Sequence, residues 1–193
     1  MDYCPIKSNF AVMKHPLDKF RYCPVCGSDR FEVNNVKSKK CQACGFTYYM
    51  NPSAATVAVI TTPLPTGEGT GGGLLVVRRG KEPAKGTLDL PGGFSDMGET
   101  SEEGVAREVL EETGLRVTRT EFLFSLPNRY VYSGLEIPTM DMFYRCEIAD
   151  TDGAHAMDDA ADLMWIPLSE VDPSQFGLES IRLGVSKLLQ MLK

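Results

Sequence analysis

Six glutamates fall between residues 99 and 112, inside the stretch GGFSDMGETSEEGVAREVLEETGL that runs from residue 92 to residue 115. On a helix, Glu99, Glu102 and Glu103 make pairs three or four residues apart, and so do Glu108, Glu111 and Glu112. Like charges at that spacing repel by roughly 0.2–0.5 kcal/mol per pair. With Glu108 set at 0° on a helical wheel, Glu112 falls at about 40°, Glu111 at about 300° and Gly104 at about 320°, so three carboxylates share an arc of about 100°. Gly104 adds no side chain to obstruct that arc. Hard divalent cations such as Mg²⁺ and Mn²⁺ take oxygen ligands from a few carboxylates and from substrate phosphates, which is the chemistry this face suits. The competing reading is a solvated acidic surface. Arg107 lies four residues from both Glu103 and Glu111, where it can orient carboxylates.

A second cluster carries different chemistry. Cys23-Pro-Val-Cys26-Gly and Cys41-Gln-Ala-Cys44-Gly are matching knuckles that bring four thiolates within reach of one soft ion, and zinc fits best. A glycine after each pair lets the backbone turn so that amides can point at sulfur. All four positions are filled, so the site is structural. Two disulfides are the weaker alternative, since the first twenty residues lack the long apolar run of a signal peptide. Cys4 and Cys146 are left over; Cys146 lies in the apolar run from Met142 and reads as a buried, inert thiol.

The elements that must position these groups follow from periodicity. Thr100 or Ser101 can cap the acidic helix, Gly114 stops it, and Val105, Ala106, Val109 and Leu110 form its buried stripe. Strands are expected at 54–62, 74–79, 87–90, 116–126, 130–132, 139–148 and 162–166, with a closing amphipathic helix over 178–192. Short strands from Arg30 and from Lys40 would complete a ribbon around the cysteines. The glycine-rich run from Pro63 to Gly73 lacks the Lys-Ser/Thr of a phosphate-binding P-loop and reads as a flexible hairpin loop. Mixed strands with helices packed on them make an α/β or α+β domain. The expected organisation is a ribbon module with an N-terminal extension over residues 1–50 and a second domain over 51–193.

The 193 residues carry 42% apolar and 24% charged side chains, ordinary for a globular protein, and no stretch approaches a transmembrane span. A cytoplasmic location is expected, with no membrane partner. Net charge is −6, but residues 1–50 are +4 and the remainder −10. A basic module can meet nucleic acid or a phosphorylated ligand. Ordinary surface lysines are the favoured account, so nucleic acid is not an expected partner. A homodimer is admitted without being required.

The spacing Gly93-x5-Glu99-x7-Arg107-Glu108-Val109-x-Glu111-Glu112-x-Gly114-Leu115 matches the signature of the Nudix hydrolases at every fixed position. The resemblance extends to a Leu-Pro-Gly-Gly turn before it, the Val77-Arg78-Arg79 strand earlier and Asp162-Leu-Met-Trp165 later, and covers about residues 53–193. It implies an α/β/α sandwich with a mixed sheet and hydrolysis of a diphosphate linked to another moiety, with Mg²⁺ or Mn²⁺. Glu108, Glu111 and Glu112 are implied as metal ligands and catalytic residues. Glu99 supports them, the Gly92 or Gly93 carbonyl is a further ligand, and Arg107 orients the cluster. A carboxylate takes the proton of the attacking water: a box glutamate, or Asp158, Asp159 or Asp162 from later in the chain. Asp162 occupies the place where many relatives have Glu and is one of these candidates. Arg78, Tyr130 and Tyr132 are the candidates for substrate contact. The tandem of a zinc ribbon and this box resembles the NADH pyrophosphatase branch, but the Ser-Gln-Pro-Trp-Pro-Phe-Pro stretch of that branch is replaced by Phe124-Ser-Leu-Pro-Asn-Arg-Tyr130. The expected substrate is a nucleoside diphosphate derivative such as ADP-ribose, NADH or a dinucleotide. The alternatives are a non-catalytic nucleotide sensor and a hydrolase acting on RNA ends.

Overall fold

The computed structural model describes residues 15–63, 72–151 and 153–192; Cys4 and most of the glycine-rich run lie outside them. The chain divides into two compact units with the break between Asn51 and Pro52.

In the first unit, β1 (Phe31–Asn35), β2 (Ser38–Cys41) and β3 (Thr47–Tyr49) form an antiparallel sheet in that order. Its core is small: Cys23, Phe31 and Cys41, with Phe20 and Phe46 against them. A core of that size contributes little hydrophobic stability by itself. Each knuckle turns at a glycine in the left-handed region, Gly27 at φ 71° and Gly45 at φ 78°, where a Cβ would be strained. The turns bring the four sulfurs together.

The second unit is built from two sheets. One has the order β8 (Gly92–Phe94), β4 (Ser53–Val59), β10 (Leu135–Ile148), β9 (Val117–Tyr132). The pair β4–β10 is parallel and the others are antiparallel, so this sheet is mixed. The other has β11 (Ala160–Pro167), β6 (Gly72–Arg79) and β5 (Thr61–Pro63), with β7 (Leu88–Asp89) on β6. The run from Ala54 to Thr62 reads as one strand in sequence, but it leaves the first sheet after Val59 and joins the second at Thr61. Thr61 to Pro63 then pairs antiparallel with Gly72 to Leu74, on either side of the residues that are not described.

Alternation sends successive residues of the buried strands to opposite faces. Val57, Val59, Leu74 and Val76 go to one core with Phe124, Phe143 and the helix α2 (Glu179–Met191), through Ile181, Val185 and Leu188. Ala58, Ile60 and Leu75 go to another with Tyr144 and the helix α1 (Ser101–Thr113), through Val105 and Val109. The result is the expected α/β/α arrangement with a mixed sheet. Helix α2 closes on Phe143 because position 184 is glycine: a Cβ there would lie 2.3 Å from the ring.

The strands β9 and β10 are longer than periodicity indicates. Pro127 and Pro138 interrupt the pattern, yet both lie inside one continuous hairpin. Pro127 is tolerated because β9 is an edge strand, and Pro138 precedes Thr139, where pairing with β4 begins. Among the described residues no helix is long and apolar enough to cross a membrane.

Candidate active site

Helix α1 is held at both ends by its own sequence. Thr100 accepts a hydrogen bond from the Glu103 amide at 3.2 Å, and the Glu103 carboxylate accepts from the Thr100 amide at 2.8 Å, a reciprocal capping box. Gly114, at φ 72°, ends the helix. Glu103 therefore serves the cap, which accounts for one of the six glutamates and corrects the expectation that Arg107 pairs with it.

Arg107 instead gathers four other acceptors. Its guanidinium donates to Glu99 at 2.8 and 3.1 Å, to Glu108 at 2.9 Å, to Glu111 at 3.0 Å and to the Phe94 carbonyl at 3.1 Å. One cation thus offsets much of the repulsion that the crowded helix would suffer. The hydrogen bonds from Arg107 hold Glu99 well below the ordinary carboxylate range, at about 2. Gly104 is not an open approach: Glu99 fills the space, with its carboxylate 2.9 Å from where a Cβ would stand. The same holds at Gly93, whose absent Cβ leaves the room that the Glu108 carboxylate occupies, 2.5 Å away.

The buried arc of α1 is also rotated from the one expected. Leu110 is 42% exposed, while Gly104 and Glu112 are buried alongside Val105, Val109 and Thr113. Glu112 accepts from the Gly92 amide at 3.1 Å. Burial pushes its carboxyl up to about 8. Burial raises Glu108 as well, against the pull of Arg107. Gly92 itself admits no side chain, since a Cβ would sit 2.1 Å from the Thr56 carbonyl.

Glu108, Glu111, Glu112 and Arg107 line one cleft of about 360 Å³, together with Gly92, Gly93, Phe94, Arg79, Asp89, Tyr130, Asn128, Asp141, Asp158 and Asp159. Arg78, Asp162 and Tyr132, all expected at the site, are placed elsewhere. Arg78 pairs in register with Asp162, on the face of the sheet shared with Val76 and Met164. Arg78 donates to the Gly86 carbonyl at 2.8 Å, and Asp162 accepts from the amide of Leu163 at 2.9 Å. Neither side chain lines the cleft. Strand alternation turns the next residue, Arg79, into it instead. Tyr130 is a cleft residue, but Tyr132, two residues nearer the hairpin tip, is 63% exposed and outside it.

Arg79 donates to the buried Asp89 at 2.5 Å and to the Tyr130 hydroxyl at 3.3 Å. Burial raises the Asp89 carboxyl, and Arg79 opposes that rise. Tyr130 meets Phe94 edge-on, with ring centroids 5.3 Å apart. No motif spacing marks Asp89, though a charge between two leucines, Leu88-Asp89-Leu90, is the signal of a buried acid with a partner. The loop after β10 brings Asp158 and Asp159 to the cleft in place of Asp162. The amides of His155 and Met157 donate to the Thr113 and Glu112 carbonyls at 3.2 and 2.9 Å, satisfying the last turn of α1 and fixing the loop there. Asp159 is tied to Lys81.

The donor sets differ in kind, and one of them converges in space. Cys23 and Cys44 sulfurs lie 3.7 Å apart and those of Cys26 and Cys41 3.6 Å apart, with all four atoms within 4.8 Å of one another and all thiols free. A tetrahedron with Zn–S bonds of about 2.3 Å has edges of about 3.8 Å. Among the described residues this is the one set of three or more such ligand groups within that reach. The helix carboxylates do not converge as closely, because Glu99, Glu108 and Glu111 turn to Arg107. They still offer an all-oxygen set, and the buried Thr56 hydroxyl in the cleft lining has no protein partner.

This fold with this acidic box defines a Nudix-type domain. The NUDIX domain profile matches residues 54–185, and the chain belongs to that family. The NAD-capped RNA hydrolase NudC of Deinococcus radiodurans is 26% identical over 151 residues, 78% of this chain and 50% of that protein. The ADP-ribose pyrophosphatase of Methanocaldococcus jannaschii is 36% identical over 86 residues, 44% of this chain and 46% of that one. The chain thus spans about half the length of these curated relatives. In fold it is similar to a NUDIX hydrolase from Nitrosomonas europaea, with a TM-score of 0.64 at 21% identity over 88% of this chain and 90% of that one.

Proposed function

We propose that this protein hydrolyses the diphosphate linkage of a nucleoside diphosphate derivative in a reaction that depends on a divalent cation. The observation that carries this reading is that Glu108, Glu111 and Glu112 face the same cleft as the aromatic Phe94–Tyr130 wall and the Arg79–Asp89 pair. The cleft is about the size that takes a small nucleotide. Its lining holds eight acids (Asp89, Asp96, Glu108, Glu111, Glu112, Asp141, Asp158, Asp159) against three cations (Arg79, Lys81, Arg107). A diphosphate does not enter such a field unaided.

Glu108, Glu111 and Glu112, with Glu99 and the Gly92 carbonyl in support, would hold Mg²⁺ or Mn²⁺. When bound, such an ion neutralises the diphosphate and acidifies water. Arg107 keeps Glu99, Glu108 and Glu111 in place, and the Gly92 amide fixes one oxygen of Glu112. Phe94 and Tyr130 offer a surface for a base, and Arg79 steadies Tyr130 and adds positive charge. Water attacks one phosphorus, the bridging P–O bond breaks with its electron pair going to the leaving phosphate, and the water proton passes to a carboxylate. Since Asp159 is engaged with Lys81, we assign that role to Asp158. The four cysteines hold a structural zinc.

A second reading is hydrolysis of NAD-capped RNA, the activity that names the Deinococcus radiodurans relative; alignment over 78% of this chain favours it. A panel of ADP-ribose, NADH, NAD, diadenosine polyphosphates, nucleoside triphosphates and NAD-capped RNA, assayed with Mg²⁺ and with Mn²⁺, tests both. Turnover of a small diphosphate supports the first reading. Turnover of capped RNA alone supports the second, and turnover of none in either metal refutes both.

A further inference from the structure

Asp141 is a buried carboxylate in the cleft lining that the proposed chemistry does not use. It is 4% exposed and sits on β10 opposite Ala55 of β4. Its oxygens accept from the Thr139 hydroxyl at 2.5 Å, the Ser180 hydroxyl at 2.5 Å and the Asn128 amide at 3.0 Å. Thr139 and Ser180 are themselves buried. Thus β9, β10 and the first turn of α2 all converge on one acid. Among the described residues no lysine or arginine forms an ion pair with it, whereas the neighbouring Asp89 has Arg79.

A buried carboxylate held by neutral donors alone is costly to keep. If its role were only to fasten α2 to the sheet, a neutral acceptor would do so at lower cost. An ionised carboxylate offers about four lone-pair positions, and three are taken here, which leaves one for a donor entering from the cleft. The half-buried Asn128, whose amide offers a second N–H and a carbonyl, lines the same cleft beside it. One acceptor on Asp141 next to a donor and an acceptor on Asn128 matches two adjacent hydroxyls. Acidic side chains read ribose hydroxyls in this way on unrelated nucleotide-binding folds.

We propose that Asp141, assisted by Asn128, recognises the vicinal hydroxyls of a ribose and sets a requirement for ribonucleosides over their deoxy counterparts. This rests on the reading of the cleft as a nucleotide site, but its test needs no turnover. Calorimetric titration of the full chain with AMP, IMP and 2′,3′-dideoxy-AMP, in Mg²⁺, separates the sources of the contact. The expected result is that AMP and IMP bind alike and at least about tenfold more tightly than the dideoxy nucleotide, because a site built for a hydroxyl is left unpaired without it. Asp141→Asn should bring that ratio below about threefold. A role confined to fastening α2 would weaken all three ligands together and leave the ratio unchanged. Should Asp141→Asn not fold, Asn128→Ala gives the same comparison, with a partial loss of discrimination expected. Equal binding of AMP and dideoxy-AMP by the wild type, no binding of AMP, preference for AMP over IMP without a hydroxyl requirement, or an unchanged ratio in the variants overturns the proposal. An inactive enzyme that still discriminates would refute the hydrolytic reading alone.

Discussion

Replacing Glu112 by Gln tests the electrostatics of the acidic helix without a substrate. Burial holds this carboxyl up to about 8, against an ordinary value of 4.5. Below pH 4.5 the group is protonated whether the chain is folded or not, and its contribution to stability is fully present. As pH rises toward 8 the unfolded chain ionises and the folded one resists, so stability is lost through that window. Each pKa unit is worth about 1.36 kcal/mol, so the metal-free fold gives up on the order of 4 kcal/mol by pH 8. Gln removes that loss and its carbonyl can still accept from Gly92, but its buried amide N–H groups cost about 1–2 kcal/mol if unpaired. The net gain at pH 8 is about 2–3 kcal/mol. At about 2–4 °C per kcal/mol for a chain of this size, that is a rise in Tm of roughly 4–12 °C. The assay is thermal unfolding followed by the fluorescence of Trp165, the single tryptophan, which packs beside the core under α1. Melts in buffer without added divalent cations, between pH 5 and pH 9, should show the wild type losing stability toward high pH and the variant losing less. At pH 5 the two should melt together or the variant slightly lower. Millimolar Mg²⁺ should stabilise the wild type more than the variant, by mass action. Parallel curves at all pH values would refute the claim that a buried, proton-retaining Glu112 is held against its preference.

Arg107→Met should destabilise the protein at neutral pH, because Glu99, Glu108 and Glu111 lose their shared cation; the bonds that depress Glu99 act above the unfolded value of 4.5 and fade as pH falls toward 2, so the wild type and variant should converge in acid titrations. Turnover should fall on the order of 10²-fold in Asp158→Asn but stay within about threefold in Asp162→Asn, measured as kcat at saturating Mg²⁺; the reverse order would return the proton to Asp162. Protein purified without chelator should carry about one zinc per chain by elemental analysis, and stripping it should release four fast-reacting thiols while the buried Cys146 stays slow; disulfides, or no zinc, would end that assignment.

Much of this protein was legible along the chain because the relevant information is local. The cap at Thr100, the stop at Gly114 and the two cysteine knuckles with their glycine turns are set by residues within a few positions of each other. Helical spacing alone put Glu108, Glu111 and Glu112 on one arc, and strand patterning narrowed the class to α/β or α+β. What tertiary structure decided is which side of each element meets the cleft. Neither Arg78 nor Arg79 is marked by type or position as the inward one; the pairing of β6 with β11 chooses Arg79. The same register sends Asp162 outward, and the anchoring of the preceding loop to the last turn of α1 brings in Asp158 and Asp159. Asp141 is bonded to residues up to 39 positions away, and no periodicity connects Asn128, Thr139 and Ser180. Spacing along a helix is fixed by the backbone hydrogen bonds of that helix, whereas the environment of a side chain depends on which distant strand packs against it. The sequence by itself therefore determined which groups could do the chemistry, and only the packed fold decided which of them share the cleft.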